Sequence, residues 1–100
     1  MDDPECPGAA QSTNAARLLA VYAMPDCPGW GRAQALAAIA RAAGISRLEV
    51  RVVDLSRAER AVPDCVVASP TWVLDDRRIA FGNPDPDWLL SRLGALTGGD

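Results

Sequence analysis

Seven residues, Arg17 to Ala23 (RLLAVYA), form an almost unbroken apolar run that Met24-Pro25 brings to an end. A strand with one wet face alternates, whereas a strand apolar at nearly every step is buried on both faces and needs cover above and below. Directly behind it, Pro28 to Ala43 reads as a helix, with Cys27 at the N-cap, Pro28 at the first helical position and Gly44 at the C-terminal end. Its apolar positions Leu36, Ile39, Ala40 and Ala43 recur at spacings of three and four, which predicts one buried stripe. Arg47 to Leu55, RLEVRVVDL, then alternates Leu48, Val50 and Val52 against Glu49 and Arg51, the period of a strand. Strand, helix and strand within about forty residues make a βαβ unit with a parallel pair.

The rest of the chain completes a sheet. Ser56-Arg57-Ala58-Glu59 has the form of a capping box and predicts a short helix that Pro63 stops. Thr71 to Leu74 and Arg78 to Phe81 read as strands of an antiparallel hairpin around Asp75, Asp76 and Arg77. After the loop Gly82 to Pro86, Asp87 is the expected cap of a closing helix whose Trp88, Leu89, Leu90, Leu93 and Leu96 make an apolar face. The order β-α-β-α-β-β-α predicts one α/β domain, a four-stranded mixed sheet flanked by helices, over residues 17 to 100. Residues 1 to 16, without periodicity, are expected to be a mobile leader.

Composition narrows the chemistry. The chain has no histidine, and all ten of its basic residues are arginines, so Cys-His and Ser-His catalysis, histidine metal sites and Schiff-base lysines are excluded. The net charge of −3 and the scattered arginines from Arg17 to Arg92 argue against nucleic acid as a partner. No apolar run approaches about 18 residues and the first residues lack the basic and apolar parts of a signal, so a cytoplasmic protein with no membrane span is expected. Three cysteines, Cys6, Cys27 and Cys65, are an odd number without zinc-site spacing, which favours a free or transiently oxidised thiol. Asp75, Asp76, Asp85 and Asp87 are read as turn and cap residues, not a calcium site, and Gly29-Trp30-Gly31 lacks the remainder of a nucleotide-binding fingerprint.

What remains is the stretch PDCPGWGR from Pro25 to Arg32. Cys27 follows the buried strand and opens the helix, but Trp30 stands where a C-x-x-C motif has its second cysteine. A thiolate at a helix N-terminus is stabilised by unpaired N–H groups and the helix dipole, while Asp26 opposes it and no Lys or His offsets Asp26.

The order of elements, Cys27 between the first strand and first helix, and Ser69-Pro70-Thr71 before the hairpin resemble the thioredoxin-like superfamily. Within it, D-C-P-G-W and S-P-T are similar to small bacterial proteins with a Cys-Pro-x-Trp motif and a Ser-Pro-Thr cis-proline loop. The resemblance covers roughly residues 17 to 96. It implies that Pro70 is cis and lies against Cys27, and that the protein is a thiol–disulfide oxidoreductase or redox-linked thiol protein of monothiol, thioredoxin- or glutaredoxin-like type. It further implies that Cys27 is the nucleophile, with Ser69, Pro70 and Thr71 contacting substrate backbone. Trp30 is a candidate for the same binding surface. The absent second cysteine removes the local dithiol cycle.

A second thiol must then come from elsewhere: from a low-molecular-weight thiol co-substrate, or from Cys65 as an internal resolving thiol, provided the two Cα atoms approach within about 7 Å. The expected partners are protein disulfides or small thiols, with no other cofactor. Other readings stay open. Cys27 as an unreactive thiol would make this a noncatalytic thioredoxin-like protein-binding module built on Trp30 and Pro70. Cys65, beside Val66 and Val67, reads more readily as a small buried hydrophobe than as a resolving thiol. Trp72 and Trp88 are expected in or half inside the core.

Overall fold

A computed structural model of the chain describes residues 17–57, 66, 69–75 and 77–97. Its elements are β1 (Arg17–Ala23), α1 (Trp30–Ala42), β2 (Leu48–Asp54), a 3-10 turn (Leu55–Arg57), β3 (Thr71–Leu74), β4 (Arg77–Phe81) and α2 (Pro86–Leu96). The strands form one mixed sheet in the order β2-β1-β3-β4. β1 is parallel to β2 and antiparallel to β3, and β3 is antiparallel to β4. This is the expected β-α-β-α-β-β-α order, with the 3-10 turn at the place of the second helix. At that turn the Asp54 carboxylate accepts from both the N–H and the hydroxyl of Ser56. The proposed leader, Glu59 and Pro63 lie outside the described residues.

β1 explains its own composition. Leu19 and Val21 enter one core cluster, with Ala33, Leu36 and Ala40 of α1, Trp72, Leu74, Ile79, and Leu89 and Leu93 of α2. Leu18, Ala20 and Tyr22 point the other way, where they pack with Val73, Val53, Leu55 and Val66. A central strand with no wet face shows no alternation. β2 lies at the sheet edge and is half-buried along its whole length. A register shift at Trp72/Val73 pairs Trp72 with Ala80 and Val73 with Arg78. This leaves Ile79 as the extra residue of a β-bulge, and it turns into the core.

Several expected details differ. The buried stripe of α1 is Ala33, Leu36, Ala37 and Ala40, while Ile39 and Ala43 are exposed. α2 is capped by Asp85, whose carboxylate accepts from the N–H groups of Asp87 and Trp88 at 3.0 and 3.2 Å. Asp87 lies in the first turn instead, because Pro86, which has no N–H to satisfy, takes the first helical position. Leu89 and Leu93 form the buried edge of α2, and Trp88, about 100° around the helix from Leu89, is 43% exposed. The hairpin connection is shorter than expected, since Leu74 pairs with Arg77. Its first residue, Asp75, has a φ of 55°, the left-handed conformation that tight hairpin turns require.

Candidate functional site

Two consecutive turns carry the chain from β1 into α1. The Cys27 N–H donates to the Met24 carbonyl at 3.0 Å, and the Trp30 N–H donates to the Cys27 carbonyl at 3.0 Å. The first α-helical bond is that of the Ala33 N–H to the Gly29 carbonyl, 2.9 Å. Gly29 is therefore the N-cap, and Cys27, expected as the cap, sits two residues upstream. The reason is local: the Cys27 carbonyl is committed to the second turn, Pro28 has no N–H, and Gly29, at φ −86° and ψ 1°, bends the chain into the helix. No side chain caps α1 and no acidic residue lies in its first turn. The sulfur nonetheless meets this terminus, because Cys27 Sγ accepts from the Gly29 N–H at 3.4 Å.

The segment before β3 lies against these turns. The Ser69–Pro70 peptide is cis. The Ser69 hydroxyl accepts from the Met24 N–H at 2.9 Å, which fastens the end of β1. The Ser69 carbonyl accepts from the Cys27 thiol, with sulfur and oxygen 3.6 Å apart. On its other side the Pro70 carbonyl accepts from the Gly82 N–H at 2.7 Å. Cys27, Trp30 and Ser69 are half-buried and Pro70 is buried. Thr71 is fully buried at the start of β3, opposite both Tyr22 and Phe81. Cys27, Ser69 and Pro70 thus meet at one end of the sheet, with Trp30 one turn of chain away. Cys65 lies outside the described residues, among which Cys27 is the free cysteine.

Two members of this cluster carry no clear sequence signal. Gly29 sits where the turn, the cis-proline loop and the loop after β4 converge: a Cβ on it would lie 3.0 Å from Asn83 Nδ2, 3.4 Å from Pro70 Cδ and 3.8 Å from Cys27 Sγ. Asn83 Nδ2 donates to the Gly29 carbonyl at 3.0 Å. Pro28-Gly29 reads as turn chemistry alone, and nothing in the loop Gly82 to Pro86 announces a partner 54 residues away. Among the described residues, no group of three or more His, Cys, Asp or Glu side chains is placed to hold a metal ion. None of their helices is long and apolar enough to cross a membrane.

No protein-family model matches the sequence, and no curated protein does either. Among solved structures, the crystal structure of Deadhead, the germline-specific thioredoxin (Thioredoxin-1) of Drosophila melanogaster, is similar to this chain with a TM-score of 0.62. The match covers 83% of each chain at 16% sequence identity. At that identity the likeness concerns the backbone. The four-stranded mixed sheet, the two helices on one face and this neighbour together make the fold thioredoxin-like.

Proposed function

We propose that this protein carries out thiol–disulfide exchange through Cys27 as a single nucleophile. The observation that carries the reading is the half-buried Cys27 sulfur at the entry to α1, 3.6 Å from the carbonyl oxygen of the cis Ser69–Pro70 peptide, on a thioredoxin-like fold. Ser69, half-buried and with its carbonyl against the sulfur, would contact the substrate, with the buried Pro70 and Thr71 following it in the chain. Trp30, half-buried at the first position of α1, is the candidate to extend that surface. The substrates are protein disulfides or mixed disulfides of small thiols, and the setting is a reducing one such as the cytoplasm.

The exchange runs in two steps. The Cys27 thiolate attacks one sulfur of RS–SR′; the S–S bond breaks, a Cys27–SR disulfide forms, and R′S⁻ leaves and takes up a proton from water. A low-molecular-weight thiolate R″S⁻ then attacks the R sulfur, forming RS–SR″ and returning Cys27 as thiolate. In the alternative second step Cys65 attacks the Cys27 sulfur, RS⁻ leaves, and a Cys27–Cys65 disulfide awaits reduction by the same class of thiol.

Turnover of a protein–glutathione mixed disulfide, with glutathione as reductant, tests the reading. Cys27→Ser is expected to bring the rate to the uncatalysed background, and Cys65→Ser to leave most of it if a small thiol resolves the intermediate. Mass spectrometry after mild oxidation separates the routes, because a Cys27–Cys65 disulfide and a Cys27–glutathione disulfide differ in mass. A wild-type rate no greater than that of the Cys27→Ser protein would overturn the enzymatic reading. The fold would then serve as a binding module, a role to which Trp30, in place of a second cysteine, is suited.

A further inference from the structure

At position 29 the first turn has no side chain, and Asn83 occupies the space beside it. Its amide nitrogen stands 3.0 Å from where a Cβ on Gly29 would be, and it donates to the Gly29 carbonyl at 3.0 Å. Turning the amide over would set its oxygen against that carbonyl, so the donor faces this way. The amide oxygen is buried with no hydrogen-bond partner among the described residues. A side chain that satisfies only half of its polar atoms adds little to stability, and an apolar residue of the same shape would serve folding equally well. What asparagine adds is one donor, aimed at one carbonyl.

That carbonyl belongs to the residue with the freest backbone in the turn. The Gly29 carbonyl already accepts from the Ala33 N–H at 2.9 Å, and the bond from Asn83 is a second one on the same oxygen; together they limit how the residue rotates, and so limit the direction of its N–H, the same N–H that donates to Cys27 Sγ at 3.4 Å. The neighbouring residue extends the clasp, since Gly82, at φ 68°, donates to the Pro70 carbonyl at 2.7 Å. The pair Gly82-Asn83 thus ties the cis-proline loop and the cysteine turn to the end of β4. We propose that Asn83 is a positioning residue for Cys27: through the Gly29 carbonyl it holds the Gly29 N–H on the sulfur, where it stabilises the thiolate. This rests on the reading of Cys27 as a working thiol.

The test is alkylation of Cys27 in the full chain by iodoacetamide, followed across pH by mass spectrometry of the peptide that carries it. In this reaction the thiolate displaces iodide and forms a C–S bond. The variants are Asn83→Ala, Asn83→Leu and Gly29→Ala, the last leaving Asn83 in place while its Cβ pushes the amide away. A hydrogen bond to a charged form favours that form, so each variant is expected to react at least about threefold more slowly at neutral pH, and to come closer to the wild-type rate in strongly alkaline solution. Asn83→Leu keeps the packing, so it remains informative if Asn83→Ala does not fold. A wild-type profile for Asn83→Leu would mean that Asn83 only fills space and would overturn the proposal, as would a rate lowered by the same factor at every pH. Alkylation needs no disulfide substrate. A protein inactive in exchange but with the expected rate changes would therefore refute the proposed function and leave the role of Asn83 standing.

Discussion

The two α-helices among the described residues pack into the same core cluster yet begin in opposite ways. α2 starts behind an aspartate whose carboxylate closes two N–H groups, followed by proline at the first helical position. α1 starts behind a glycine, with no side-chain cap and no acidic residue in its first turn. A side-chain cap is typically worth about 1 kcal/mol over alanine but only a few tenths over glycine, so the start of α1 forgoes a little of the stability that the start of α2 has. The difference falls where Cys27 Sγ and the cis-proline loop approach. There, room for close backbone contact at Gly29 excludes a capping side chain, and the sulfur is the atom that accepts from the Gly29 N–H.

If the helices differ only at their starts, their bodies must be alike. Leu36→Ala and Leu89→Ala remove fully buried side chains from the same cluster, and each is expected to cost about 2–5 kcal/mol in urea unfolding. A cost below about 1 kcal/mol for either one would break the comparison, because that helix would then not be anchored through the shared core. The starts come next. Asp85→Ala should cost about 1 kcal/mol, within roughly 0.5–2, and a neutral result would mean that the two carboxylate bonds to Asp87 and Trp88 do not matter. The smallest effect is a gain. Gly31 lies in the first turn of α1, is exposed, and has no atom within 4 Å of an added Cβ. Gly31→Ala should therefore stabilise by about 0.5–1 kcal/mol, while Gly29→Ala, two residues earlier, should destabilise by crowding Asn83.

Much of the architecture was legible in the sequence because each element advertises its own burial. RLLAVYA reads as a doubly buried strand, and it is one, bounded at Arg17 and Ala23. Thr71 to Leu74 and the strand ending at Phe81 were equally clear. The start of α1 lies two residues beyond the expected one, since a cysteine before a proline looks like a cap, whereas the turn bond from the Trp30 N–H to the Cys27 carbonyl places that residue outside the helix. Trp88 takes the outer of its two expected places. Its spacing fits an apolar face, but the core takes Leu89 and Leu93 fully, with Leu96 packed against it, and leaves Trp88 43% exposed. Trp72, the largest of the fully buried side chains, lies in the core as its place on a strand suggests, though no periodicity could reveal that its indole N–H has no partner among the described residues.

By itself the sequence determined the order of the elements, the doubly buried first strand, and the presence of one cysteine at a strand–helix junction with no second cysteine in its motif. These follow from local patterns of polarity and from turn chemistry, which act over a few residues. Only the tertiary structure decided that the Ser69 carbonyl faces the Cys27 sulfur, that Ser69 also fastens the end of β1, and that Asn83 reaches Gly29 across 54 residues of chain. Those contacts are between backbone atoms and short side chains from distant segments. What brings them together is the pairing of β1, β3 and β4 in one sheet, a long-range product of the core that no local pattern encodes.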